Sequence, residues 1–356
     1  MFNKATKITD FTGHNIYVGL DVHAKSWAVS IYSDEFELKT FTQAPDTDQL
    51  CGYLSKHYPG AGVQVGYEAG FCGFSIHRSL TQKGIKCSVL NPADIPSSDK
   101  ELKRKNDRID SRKIAKALKN GDLDTVFVPD SQQEADRQLL RSRAKVVKDI
   151  TVVKNRIKGF LKFKGIVIPE HYAERWTQAF IAWLRELSLL QTDKIALTVS
   201  IDELVFLTGQ KKLLTQAIKS LTTEVRYKDN VKLLQSIPSI GILAAMTILT
   251  EIGDINRFPK EEHLCSYCGI TPNSHSSGEK TRTGGMSRRG NHVMKTILIE
   301  CAWMAVRKDP ALLLFYKGLL PKMHANKAIV KVARKLLNRI RYVLKNKQEY
   351  VTGIVE

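Results

Sequence analysis

The sequence predicts an α/β front domain on a mixed sheet, a helical coiled-coil middle and a mostly α C-terminal domain. Three observations predict this. Short β-rich runs alternate with helical runs over the first 130 residues. Beyond Gln133 the apolar residues recur at heptad spacing. Beyond residue 229, apolar helical stretches flank one long Gly/Ser/Thr/Arg-rich loop. A chain of 356 residues is too long for one ordinary core. The expected domains are 1–130, 131–228 and 229–356.

In the front part, Ile16–Val22 reads as a buried strand, with Trp27–Tyr32 and Glu37–Phe41 as its hairpin neighbours across a Ser33-Asp34 turn. Thr47–Tyr58 has helical spacing and stops at Pro59-Gly60. Val63–Glu68 is a further β-rich run, Phe74–Lys83 a helix ending at Gly84, and Cys87–Leu90 a strand stopped by Asn91-Pro92. Arg108–Lys119 is helical, and Thr125–Val128 is a last short strand. The order β-β-β-α-β-α-β-α, with that strand after it, is the order of an RNase H-like fold.

In the middle part, Val146, Ile150, Val153, Ile157 and Phe160 form an a/d seam, with Leu139 one heptad earlier. This suggests a coiled coil or a long packed hairpin. Between Arg137 and Lys164 stand ten Lys/Arg and one acid, Asp149. A second helical stretch carries Trp176, Phe180, Trp183 and Leu187, and a third runs from about Asp202 to Val225 with an interruption near Gly209. In the rear part, two apolar helices around a Pro/Gly turn at residues 233–245 resemble a helix-hairpin-helix. A loop over residues 269–291 follows, then a helix at Val293–Val306. The basic amphipathic helix Asn326–Lys347 comes last, suited to DNA, RNA or a membrane surface, or simply solvated.

The net charge is +19. Residues 1–130 hold 17 Lys/Arg against 16 Asp/Glu, whereas 131–228 hold 18 against 10 and 229–356 hold 20 against 10. A nearly neutral, acid-bearing front with basic parts behind it points to metal chemistry in one place and a polyanion held in the others. Six scattered cysteines exclude a disulfide scaffold and fit a reducing cytosol. Cys265 and Cys268 form a single CxxC, read as core residues rather than half a zinc site. The longest apolar stretch, Ile240–Leu249, is too short to span a membrane, and residues 1–15 carry no apolar signal core. The expected location is the cytoplasm.

Four acids carry the chemistry. Asp21 ends the first strand and Glu68 ends the fourth, while Asp107 and Asp110 stand three apart at a helix start and so share a face. Singly, each has an ordinary explanation: a turn residue, or an acid favouring a helix N-terminus. Together they fall where an RNase H-like sheet gathers carboxylates. Such a set suits two Mg²⁺ ions, with Mn²⁺ as the substitute, about 4 Å apart across a phosphate. Arg112, Lys113, Lys148, Lys154, Arg156 and Lys158 are the candidate backbone contacts near it and along the basic helix. Lys280, Arg282, Arg288 and Arg289 are those of the Gly/Ser/Thr/Arg loop, and arginine grips phosphate bidentately.

The segments Tyr17-Val-Gly-Leu-Asp21-Val-His23, Tyr67-Glu68-Ala-Gly70 and Lys105-Asn-Asp107-Arg-Ile-Asp110-Ser-Arg-Lys-Ile-Ala115 resemble the motifs of DEDD-type insertion-sequence transposases, the bridge-RNA-guided recombinases. Ser236-Ile-Pro-Ser-Ile-Gly241, Phe258, Gly269-Ile-Thr-Pro272 and Ser276-Ser277-Gly278 are similar to that family's C-terminal transposase domain. The resemblance covers nearly the whole chain and is weakest in the helical middle. It implies a RuvC-like front domain and a nucleophilic serine, which falls on Ser277, with Ser276 beside it. It further implies donor and target DNA as substrates, a guide RNA that pairs with both, and a homotetramer built as a dimer of dimers. Two other readings stand beside this one: a RuvC-like nuclease or junction resolvase that uses no serine, and a non-catalytic nucleic-acid-binding protein that keeps the fold.

Overall fold

The computed structural model describes residues 10–92, 107–121, 125–172, 175–277, 280–286 and 290–353, with residues 272–277 and 280–286 described by their backbone alone. The chain divides into two compact units between Val128 and Pro129.

The first unit is a five-stranded sheet. Its strands are β1 (Asn15–Val22), β2 (Trp27–Tyr32), β3 (Glu37–Gln43), β4 (Gly62–Glu68) and β5 (Lys86–Leu90), in the order β3-β2-β1-β4-β5. β1 pairs antiparallel with β2 and parallel with β4, and β4 runs parallel to β5. Among the described residues three helices accompany it: α1 (Thr47–His57), α2 (Ser75–Gln82) and α3 (Asp107–Asn120). Asp46 caps α1 by accepting from the amides of Asp48 and Gln49.

Side chains alternate across a strand, so β1 serves two faces. Ile16, Val18 and Leu20 are buried with Leu50 and Leu54 of α1 and Ile76 and Leu80 of α2. Tyr17 packs on the other face with Tyr32 and with Ala115 and Leu118 of α3. The sheet is thus sandwiched between α1 and α2 on one side and α3 on the other. The expected strand Thr125–Val128 reduces to a single bridge between Thr125 and Leu90, with the Val126 amide donating to the Val89 carbonyl beside it.

The second unit begins with two long helices, α4 (Ser131–Phe163) and α6 (Gln191–Leu221), with the short α5 (Gln178–Glu186) between them in sequence. Contacts from Arg143 to Thr215, Arg156 to Glu203 and Lys164 to Asp193 show that α4 and α6 run antiparallel. Ile150, Val153, Ile157 and Leu161 of α4 are buried against Leu197, Ile201 and Leu204 of α6 and Phe180 and Leu184 of α5. The expected break at Gly209 is absent. Glycine costs about 1 kcal/mol relative to alanine inside a helix, and the packing on either side outweighs that. The opposite face of α6 exposes Ile195, Val199, Phe206 and Leu213, spaced 4, 7 and 7.

A separate core joins α7 (Lys228–Gln235), α8 (Ile242–Ile252), α9 (Glu261–Cys268), α10 (His292–Lys308), α11 (Pro310–Leu319) and α12 (Ala325–Asn346). The loop expected at 269–291 contains a β-hairpin, β6 (Pro272–Ser277) and β7 (Lys280–Met286), whose polar strands lack the apolar alternation that marks a strand in sequence. The apolar face of α12, with Ile329, Ala333, Leu336, Leu337, Ile340 and Leu344, is central to this core, so it does not face a membrane. Cys265 and Cys268 are buried in the same core; burial holds the Cys265 thiol up at about 11 and pushes that of Cys268 up as well. No described helix is long and apolar enough to cross a membrane.

Candidate active site

Asp21 and Asp107 meet where β1 ends and α3 begins. What allows α3 so near is glycine. A Cβ on Gly19 would stand 2.0 Å from the Ser111 carbonyl oxygen and 2.5 Å from the Ala115 nitrogen. Gly19 pairs with Gly66 on β4, where a Cβ would meet Leu118 at 2.8 Å. The helix therefore lies on a two-glycine floor. Beside the floor, the buried Ser30 hydroxyl of β2 bonds Ser111 of α3 at 2.8 Å. Asp21 and Glu68 each follow one of these glycines by two residues and so share its face.

Asp21, His23 and Asp107 offer ligand atoms that all lie within 4.8 Å of one another. The His23 Nε2 atom is 3.2 Å from Asp21 Oδ2 and 3.5 Å from Asp107 Oδ1. Asp110, one turn further along α3, has its Oδ1 3.3 Å from the Lys113 ammonium. Burial raises the Asp21 carboxyl above the usual carboxylate range; His23 works against this, and the nearby Asp107 and Asp110 charges add to it. Glu68 closes β4, paired with Leu90 of β5. The structure thus brings Asp21 and Asp107 into one cluster, sets Asp110 a turn away, and leaves Glu68 at the end of the adjacent strand.

His23 is a site residue that the sequence reading missed. Its signal was the Asp-x-His spacing at a strand end, because period 2 puts both side chains on one face. The donor set fits a divalent cation. Two carboxylates converge with an imidazole, and carboxylates are the groups that crowd Asp21. Carboxylate oxygens suit Mg²⁺, and the imidazole nitrogen makes Mn²⁺ a good fit too.

The expected nucleic-acid contacts have varied surroundings. Arg112 donates from Nε to Glu37 at 2.9 Å, and Arg156 pairs with Glu203. Lys148 is exposed. Lys154 sits 5.2 Å over the Trp176 ring, and burial lowers its pKa, helped by Lys211 and Lys158. Those three lysines and Trp176 make a cationic patch with an aromatic face on the paired long helices. In the second unit Ser277 is the last residue of β6, paired with Lys280 across the hairpin turn, while Arg282 lies in β7 opposite His275. Arg288 and Arg289 lie outside the described residues.

Two family models match the chain. A DEDD transposase model of the IS110 group matches residues 18–165, and one described as transposase IS116/IS110/IS902 family matches 231–317. The Sinorhizobium fredii protein y4qE, whose name carries the word transposase, is 30% identical over 237 residues, or 67% of this chain. The chain spans only 57% of y4qE's own length. The transposase for insertion sequence element IS1111A of Coxiella burnetii is 28% identical over 294 residues, 79% of this chain and 78% of its own. The Sinorhizobium fredii protein y4rJ, similarly named, is 27% identical over 362 aligned positions, 90% of each chain. The first model takes in the strand, glycine floor and helix that gather the acids, and the second takes in the serine hairpin. The chain belongs to the IS110/IS116 family of DEDD transposases.

Proposed function

We propose that the chain cuts and rejoins donor and target DNA for an insertion sequence, using its carboxylate cluster together with Ser277 as nucleophile. The observation that carries this reading is the convergence of Asp21, His23 and Asp107 at the open end of the sheet, with Asp110 beside them. Asp21, Glu68, Asp107 and Asp110 would hold the divalent cations, two Mg²⁺ in this reading with Mn²⁺ as the substitute. Such cations, when bound, neutralise charge on a phosphate and favour its displacement. The Ser277 hydroxyl oxygen forms a bond to phosphorus as the bond to one sugar oxygen breaks. That oxygen leaves with the electron pair, and the serine proton passes to it or to water. The resulting phosphoserine linkage conserves the energy needed for rejoining.

The excess of basic residues beyond position 130 supports a polyanion on the second unit, and the Lys154, Lys158, Lys211 and Trp176 patch suits a nucleic-acid backbone with a base against the ring. A guide RNA that pairs with donor and target would supply sequence choice. The exposed apolar stripe Ile195, Val199, Phe206 and Leu213 supports self-association, read here as a homotetramer. The test is Ser277→Ala with DNA from the flanks of the gene. Loss of a covalent protein–DNA adduct on denaturing gels supports serine chemistry. Unchanged cleavage without an adduct in either protein means a resolvase-type enzyme. Sequencing the RNA that co-purifies tests guidance; a defined species from the gene's flank is expected, and random fragments would contradict it.

A further inference from the structure

Glu251 lies in the last turn of α8 with 1% of its side chain exposed. A buried carboxylate is costly unless its oxygens are satisfied. Here they are. Arg141 of α4 donates to both oxygens, at 2.7 and 2.8 Å, and Arg137, one turn earlier on α4, stands 3.6 Å away. The Asn291 side-chain amide donates to the same carboxylate at 2.7 Å, and the Tyr267 hydroxyl donates to the Glu251 carbonyl oxygen at 2.6 Å. Tyr267 and Asn291 are joined as well. The Asn291 amide nitrogen donates to the Tyr267 carbonyl at 2.7 Å, and its side chain to the Tyr267 hydroxyl at 3.1 Å.

These residues flank the hairpin. Tyr267 is in the last turn of α9, just before β6, and Asn291 caps α10, just after β7. Between them Gly269 and Gly290 touch backbone to backbone: a Cβ on Gly290 would lie 2.6 Å from Gly269 Cα, and Gly290 has φ +99°. Both stalks of the ribbon are therefore pinned to Glu251, the Tyr267 side through its backbone carbonyl and the Asn291 side through its buried carboxylate, which two arginines of the cationic helix α4 hold in turn. Buried ion pairs often stabilise no more than apolar packing would, but removing one partner leaves an uncompensated buried charge.

A strand rises about 3.3 Å per residue, so a six-residue ribbon reaches about 20 Å and a 5° tilt at its base moves its tip by about 2 Å. Ser277 stands at that tip. We propose that Glu251 is a positioning residue: with Arg137, Arg141, Tyr267 and Asn291 it sets the angle at which the serine hairpin leaves the helical core. This inference rests on the reading of Ser277 as nucleophile.

The test uses the full chain with its co-purified RNA and DNA from the flanks of the gene. It compares Glu251→Gln, Asn291→Ser (which keeps a capping hydroxyl), Ser277→Ala, and a core control of the same unit, Val343→Ala. Adduct formation is timed at saturating DNA, alongside DNA affinity and melting temperature. The expected result is an adduct rate about 100-fold lower in Glu251→Gln or Asn291→Ser, the cost of a misplacement near 1 Å. DNA affinity should hold within about twofold, and Val343→Ala should keep its rate. Normal rates in both Glu251→Gln and Asn291→Ser, with none in Ser277→Ala, overturn the positioning role alone. So does an equal loss in Val343→Ala at the same melting temperature. An adduct that persists in Ser277→Ala overturns the serine reading and this inference with it.

Discussion

Among the described residues of the helical unit, each deeply buried acid faces a cation or a phenol. Glu251 holds Arg141 and Arg137, Asp309 holds Arg339 and Tyr350, and Asp136 accepts from Tyr227. In the α/β unit the half-buried Asp21 is surrounded differently: burial raises its carboxyl most, and the charged groups around it are His23 and two further carboxylates, Asp107 and Asp110. The first arrangement is complete within the chain. The second concentrates negative charge where two glycines let α3 close onto the sheet, and it is satisfied best by a cation from outside. The difference separates acids that hold a fold together from acids that the fold holds ready.

The largest stability effect expected is at Asp309. Its carboxylate takes Arg339 and the Tyr350 hydroxyl, each at 2.6 Å, and caps α11 through the Leu312 amide. Asp309→Ala strands the partly buried Arg339 guanidinium and the Tyr350 hydroxyl, so chemical denaturation should show a loss of about 3 kcal/mol. The same substitution at Asp107, whose side chain is 65% exposed, should leave stability nearly unchanged and lose turnover. An equal loss of stability at both positions would erase the contrast between the units.

Next comes the glycine floor. Gly19→Ala forces a Cβ onto backbone atoms of α3 and should cost about 3 kcal/mol and most of the activity. Gly66→Ala meets only the end of the Leu118 side chain, which can turn aside, so about 1 kcal/mol is expected. Thermal melts of the pair rank the two contacts. The smallest effect is at Asp130, the cap of α4, whose carboxyl is held down at about 2 by the Arg226 hydrogen bonds and the Gln133 amide. A depressed carboxyl pKa adds stability above the unfolded value of 3.8, and that stability is lost as pH falls toward 2. With Asp130 54% exposed, solvent screens the pair. Asp130→Asn should therefore lower the melting temperature slightly at pH 7 and progressively less as pH falls through 2.

Much of the first unit was legible because apolar runs with period 2 end in turn residues. β2 has the limits that its pattern predicts, and Asp21 and Glu68 stand out as acids closing apolar strands. The three-residue spacing of Asp107 and Asp110 places them on one face of α3. Other features depend on tertiary contact. Gly19 and Gly66 sit in apolar strands that say nothing of which helix approaches them. His23 follows the strand as if it were a loop residue. The run through Gly209 is helical because α4 packs along it, and the polar segments β6 and β7 pair with each other without the apolar alternation that would mark them in sequence. The clamp at Glu251 joins residues 110 positions apart through Arg141, a distance no local pattern spans.

The most direct test of the carboxylate account is cation-dependent strand cleavage of gene-flank DNA by the wild-type chain and by Asp21→Asn, at matched DNA occupancy. Asparagine keeps the shape of a half-buried aspartate and removes its charge, so folding and DNA binding should persist. Cleavage that requires Mg²⁺ or Mn²⁺ and falls by about 100- to 1,000-fold in Asp21→Asn is the predicted result. Cleavage at the wild-type rate by Asp21→Asn, or equal cleavage by the wild type in chelator, would contradict it.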